Sequence, residues 1–333
     1  VVVPYKPYGQ LALLVLCPPP YRIIRGVDIF LQQVANGLTL GSIYALVALG
    51  YTLVYGILGL INFAHGEVVM VGALTALAAS KFLLAAALPP AVVFVLAFLL
   101  AAAVCMALGV VIERIAYRPL RNAPRLAPLI TAIGVSIILQ QLAMMLWGRS
   151  YHAMPQLLPE TAFVLGGVQI TMIQLVIIGV AGLTMAALLV LVNRTRLGRA
   201  MRATAESPSI AALMGVDANR IIVLAFLIGS ALAALAGMLV ASNYGIAHYN
   251  MGFMLGLKAF TAAVLGGIGN LAGAVVGGLL LGVIEALGAG YIGDLTGGVL
   301  GSQYQDVFAF FVLIGVLVLR PAGLLGERVA ERA

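Results

Sequence analysis

The sequence predicts an all-α, polytopic membrane protein with about eight or nine transmembrane or partly broken helices and a short cytoplasmic helix. The composition is the first reason. Of 333 residues, 63% are hydrophobic and only 9% charged, where a soluble domain averages roughly 45–50% apolar and about 25% charged. The second is the recurrence of apolar runs of bilayer-spanning length, and the third is the clustering of arginine between them. With a mean hydropathy of +1.14, the chain cannot cover its own surface with polar side chains. That excludes a soluble enzyme, a disordered protein and a nucleic-acid-binding protein.

A helix needs about 20 apolar residues to cross a bilayer. Such runs lie near 31–56, 62–83, 90–117, 127–147, 170–192, 220–242, 253–268, 271–290 and 305–320. The shorter ones are Gly-rich and read as broken or re-entrant. The net charge of +7 is concentrated in two groups, Arg114, Arg118, Arg121 and Arg125, and then Arg194, Arg196, Arg199, Arg202 and Arg220. Both lie between apolar runs, so the positive-inside rule puts them in the cytoplasm. The 148–169 loop then faces outward, the tail with Arg328 and Arg332 inward, and Asp28 outward if 253–268 crosses fully.

Gly269, Gly273 and Gly277 recur every four residues, and Gly278, Gly282 and Ala286 form a second small stripe. Small residues at that spacing let helix backbones approach closely in lipid. Polar residues inside spans are costly and face protein or water. Asn62, His65 and Glu67 gather at the start of the second span, Asn250 and Lys258 near the break before the seventh, and Glu285 in a late helix. They read either as pathway or gate residues or as partners for backbone groups freed at helix breaks. Lys258 is placed to pair with Glu67 or Glu285.

Within the basic loop 194–220, Ser207 is a good N-cap, Pro208 suits the first helical position and Gly215 the position beyond the end. Ile210, Leu213 and Met214 share one face of the short helix between them. That stripe invites a partner protein, or else lies on lipid headgroups. Cys17 and Cys105 are far apart, and Cys105 sits in an apolar run. His65, His152 and His248 match no zinc spacing, so no metal or other cofactor is expected. A P-loop needs Gly before its lysine, but Lys6, Lys81 and Lys258 follow Tyr5, Ser80 and Leu257. No nucleophile elbow is present either.

The run Asn36-Gly37-Leu38-Thr39-Leu40-Gly41-Ser42-Ile43-Tyr44-Ala45-Leu46, followed by Asn62-Phe63-Ala64-His65-Gly66-Glu67, resembles the bacterial high-affinity branched-chain amino acid ABC-transporter permease of the H type. Lys258-Ala259-Phe260-Thr261-Ala262-Ala263-Val264-Leu265-Gly266-Gly267-Ile268-Gly269 and Pro321-Ala322-Gly323 with Gly326 carry the same resemblance, which runs from about Val27 to Leu325. It implies a second, M-type permease, two cytoplasmic ATPase subunits that hydrolyse the ATP, and a periplasmic binding protein delivering leucine, isoleucine or valine. It also implies an inner-membrane location and contact with membrane lipid, with no nucleic acid.

The loop helix at 207–215 is similar to the ATPase-coupling motif of that class. Its residues would be Ser207, Ile210, Ala211, Leu213, Met214 and Gly215. Ser209 stands where the motif has an acid, while Gly215 is retained. Residues 1–26, rich in proline, lie outside the resemblance. We expect them to be a non-native upstream extension, with Val27 the initiator read from a GTG codon, and 27–333 to form one permease domain. The alternatives are a proton-coupled secondary transporter using Lys258, Glu67 or Glu285, an intramembrane enzyme built on His65 and Glu67, and a related ABC permease for a sugar or other small solute.

Overall fold

The computed structural model describes residues 26–326 apart from 122, 125, 160, 166 and 298–300. The expectations for 1–25, Arg125, Arg328 and Arg332 therefore lie outside the described residues. The helices are α1 (Gly26–Leu58), α2 (His65–Ala85), α3 (Pro90–Ile112), α4 (Leu126–Trp147), α5 (Met172–Arg194), α6 (Arg196–Glu206), α7 (Pro208–Leu213), α8 (Ala218–Tyr244), α9 (Met251–Gly266), α10 (Leu271–Leu295) and α11 (Gln305–Leu319). Among the described residues, 7 helices are long and apolar enough to cross a membrane, and α9 and α11 are shorter apolar helices. At 16 residues, α9 is about 24 Å long, less than the roughly 30 Å hydrocarbon core. The run at 253–268 is thus a short helix, as its length and glycines suggested, and it starts at Met251.

α1 is the hub, packing on α10, α8, α9 and α5. Ile43 to Leu49 are all buried, so this stretch is covered by protein on every side. That arrangement needs small residues where neighbours cross. A Cβ on Gly41 would lie 2.7 Å from the Leu279 Cα, and one on Gly278 2.6 Å from the Ala45 Cα. Gly282 faces Gly41 in the same seam. Gly273 and Gly277 lie instead against Gly266 and Ala262 of α9. Thus α10 uses one small stripe for α1 and the other for α9. Gly269 departs from the expected stripe. It precedes α10, in the tight connection from α9, with a φ of +96°.

A second layer of α3, α4 and α5 surrounds this centre, with large apolar side chains such as Leu99, Met145 and Leu183 exposed. A π-helical turn, Glu113–Tyr117, and a 3-10 turn, Arg118–Leu120, extend α3. Two short antiparallel pairs mark one end of the molecule. β1 (His152–Ala153) pairs with β4 (Ile246–Ala247), and β2 (Ala162–Leu165) with β3 (Val168–Thr171). Gln32 joins this end, donating through Nε2 to the Gln169 carbonyl at 3.0 Å. Thr171 then opens α5 with a reciprocal capping box to Gln174. The opposite end holds α6, α7 and Arg121, which donates to Asn219 Oδ1 at 2.6 Å. The two ends group the same loops as the arginine distribution.

Candidate functional site

Two buried polar clusters flank α9. The first gathers at the start of α2. The chain leaves α1 at Gly59 and re-enters helix at His65. In this break, Asn62 accepts a hydrogen bond from the Tyr117 hydroxyl at 3.1 Å, and the same hydroxyl reaches the Ile61 carbonyl at 3.2 Å. The π-helical turn carrying Tyr117 thus fixes the break. His65 is buried, edge-on to Tyr51 with ring centroids 4.8 Å apart. Its ring lies where a side chain on Gly50 would be. Glu67 is fully buried. Its Oε1 accepts from Ser136 Oγ at 3.2 Å and from Gln140 Nε2 at 3.0 Å, both on α4.

The second cluster is ionic. Lys258 Nζ lies 2.7 Å from Glu285 Oε1 and 2.8 Å from Asp306 Oδ1. Tyr44 donates to Glu285 Oε2 at 2.9 Å. The ammonium also stands 5.8 Å from the Tyr44 ring centroid, a cation–π distance. Of the two partners open to Lys258, the fold brings it to Glu285 and sends Glu67 to α4. Glu285 is nearly sealed, so its negative charge needs this compensation.

Helical period separates the clusters. Gly252 and Gly256 face the start of α2, while Met251, Met254, Leu255 and Lys258 turn to the other side. Each flank bears a cavity. One, of about 490 Å³, lies between α4 and α9 and is lined by Ser136, Gln140, Tyr51 and apolar residues. The other, of about 210 Å³, includes Lys258, Tyr44 and Tyr244. Asn250 precedes α9 and lines the larger cavity, its backbone N–H donating to His248 Nδ1 at 3.3 Å. Among the described residues no three His, Cys, Asp or Glu side chains gather to hold a metal ion.

At the basic end, α5 turns into α6 through Thr195, whose hydroxyl accepts from the Gly198 N–H at 3.1 Å. Arg202 of α6 donates to the Val192 carbonyl, and Met201 and Thr204 are buried. Anchored in this way, α6 carries α7. Ser207 Oγ accepts from the Ile210 N–H at 3.4 Å, Pro208 is the first residue, and Gly215 adopts a φ of +81°. Ala211 is buried on the inner face. Ile210, Leu213 and Met214 are 62%, 87% and 81% exposed, so the described residues leave this apolar stripe uncovered.

Several partners were not apparent in the sequence. Ser136 and Gln140 carry no signal in an apolar helix, and Tyr44 looks like any aromatic core residue. The Arg121–Glu113 ion pair links a sealed carboxylate to the basic loop. Only the arginine's membership of a cluster hinted at it.

A family profile described as the branched-chain amino acid transport system permease component matches residues 33–317. The chain belongs to this family of permease components. Among its relatives, the high-affinity branched-chain amino acid transport system permease protein BraD of Pseudomonas aeruginosa is 50% identical over 91% of this chain and 98% of its own length. The corresponding LivH protein of Escherichia coli is 46% identical over 91% and 97%. A more distant relative, the autoinducer 2 import system permease protein LsrC of an Enterobacter species, is 35% identical over 58% of this chain and 55% of its own. These relatives are transport permeases, not enzymes. Both polar clusters and the exposed α7 fall inside the matched region of this multi-pass permease.

Proposed function

We propose that this permease is the H-type membrane subunit of an ATP-driven, binding-protein-dependent importer of leucine, isoleucine and valine. It pairs with an M-type permease, and a periplasmic binding protein delivers the amino acid to the face formed by β1 to β4. Two cytoplasmic ATPase subunits hydrolyse the ATP, since the chain itself lacks the Gly-Lys pairing of a P-loop. Near-full-length identity to BraD and LivH supports this substrate class over the solute of the more distant LsrC.

The observation that carries the reading is the uncovered stripe of α7. Ile210, Leu213 and Met214 point away from the protein on a capped helix at the basic end. An ATPase groove would cover them, and movement of the ATPases would reach the spans through α6 and α8. Asn62, His65, Glu67, Asn250, Lys258 and Glu285 then lie beside the pathway or form its gates.

Burying a Leu-sized side chain is worth roughly 1.5–3 kcal/mol, and Leu213→Asp replaces that gain with a desolvated charge. The variant is expected to insert normally but to lose ATPase co-purification and leucine uptake. Retention of both would assign α7 to the lipid surface instead. Gly215→Val should act in the same direction, because a β-branched residue resists positive φ.

A further inference from the structure

Three glutamates are buried among the described residues, Glu67, Glu113 and Glu285. Two have a cation, Arg121 for Glu113 and Lys258 for Glu285. Glu67 has none among the described residues. Its Oε1 is held by Ser136 and Gln140, while its Oε2 is buried with no hydrogen-bond partner. A carboxylate removed from water and left without a countercharge is strongly disfavoured. Among the described residues, a buried glutamate without a countercharge occurs only at Glu67, beside the larger cavity.

The wall between carboxylate and cavity is thin. Ser136 and Gln140, which grip Oε1, both line the cavity, as do Gly66 and Gly252. A Cβ on Gly252 would stand 2.7 Å from Oε2. Gly252 is thus both part of the cavity wall and next to the unpaired oxygen. The rest of the lining is apolar, with Phe63, Ile133, Ile137, Phe253 and Leu257, apart from Tyr51 and Asn250. The volume of about 490 Å³ falls within the roughly 300–1,000 Å³ of small-molecule sites.

We propose that the α4–α9 cavity is a transit subsite for a zwitterionic amino acid with an apolar side chain. Glu67 receives the ammonium group. The branched side chain lies against Ile133, Ile137, Phe253 and Leu257, and Tyr51 and Asn250 donate to the substrate carboxylate. The substrate supplies the cation that the protein omits, and a small outward movement of Gly252 exposes Oε2 to it. Because that countercharge leaves with the substrate, the subsite holds each molecule only briefly. The proposal rests on the importer reading above, and deepens it by naming the group that the permease recognises.

The test uses the complete transporter in proteoliposomes with its binding protein and ATP. Leucine uptake by the wild type is measured first, and its absence would overturn the importer reading itself. With uptake established, a diazirine analogue of leucine is photolysed during turnover and labelled peptides are mapped. Labels within 133–140 and 252–257 are expected. Excess leucine or isopentylamine, which keeps the ammonium, should suppress them at least tenfold. The keto acid 4-methyl-2-oxopentanoate, which lacks it, should not.

Glu67→Gln, nearly isosteric, should lower uptake at least tenfold while ATP hydrolysis stimulated by the loaded binding protein persists. Uptake retained by Glu67→Gln, labels elsewhere, suppression by the keto acid as strong as by the amine, or labelling of the cavity that leucine does not suppress would each overturn the subsite and leave the importer reading intact. Should Glu67→Gln fail to assemble, the wild-type label map and competition decide the question alone.

Discussion

Lys258 shows how a single residue depends on its partners. Its ammonium contacts Glu285 and Asp306 with 15% of the side chain exposed, while Glu285 is almost sealed. Removing one partner of a buried pair leaves an uncompensated charge, at a cost of about 3–5 kcal/mol. Lys258→Met is therefore expected to lower the thermal unfolding midpoint of the detergent-purified protein markedly. Replacing Glu285 as well removes the nearly sealed charge and leaves only the more exposed Asp306 without its cation, so Lys258→Met with Glu285→Met should recover part of the loss. A double variant no more stable than the single one would contradict this account. The sequence offered Lys258 two partners and could not choose, because the choice depends on which faces of α9, α10 and α2 turn toward one another. Glu67 was legible as a costly buried acid, but its contacts with Ser136 and Gln140 were not, since serine and glutamine in an apolar run give no sign of what they face.

At the scale of the element, glycine spacing and caps carried the most information. The α10 stripe was readable as a close crossing, but not which neighbour each glycine meets. Gly278 and Gly282 admit α1, whereas Gly273 and Gly277 admit α9. Gly282→Leu is expected to disrupt the α1–α10 seam, since overpacking costs about 1–3 kcal/mol even where a core can yield and here the obstacle is backbone of Gly41 and Gly37. Low recovery of intact permease with little uptake is the expected result, and Gly273→Leu should act similarly through α9. Normal assembly of either variant would mean that its seam can open. The helix over 207–215 was readable residue by residue because Ser207, Pro208 and Gly215 act locally. The preceding α6 was not foreseen as a helix. Its arginines drew attention to charge, while the anchoring contacts of Met201, Arg202 and Thr204 depend on α5 and on the rest of the packed chain.

For the whole molecule, orientation is the testable property. A cysteine replacing Pro155 should be labelled by an impermeant reagent from the periplasmic side, and one replacing Arg199 only from the cytoplasm. The reverse pattern would invert the topology. Class and the positions of the long spans were determined by the sequence itself, because they depend on apolar length along the chain against bilayer thickness, and the arginine clusters predict the orientation. The family resemblance was likewise legible, in the blocks around Asn36, Asn62 and Lys258. Only the tertiary structure decided that α1 is the central helix, that α9 is short and begins beside two cavities, and that Glu67 and Glu285 receive different environments. The physical reason lies in the solvent. In water, an apolar stripe tells which face of a helix is buried. In lipid, the buried and exposed faces are both apolar, as exposed Leu99 and buried Leu49 illustrate, so the pattern along a span does not say which neighbour it will meet. Packing in three dimensions makes that choice, through glycines that admit a backbone and polar groups that must find partners.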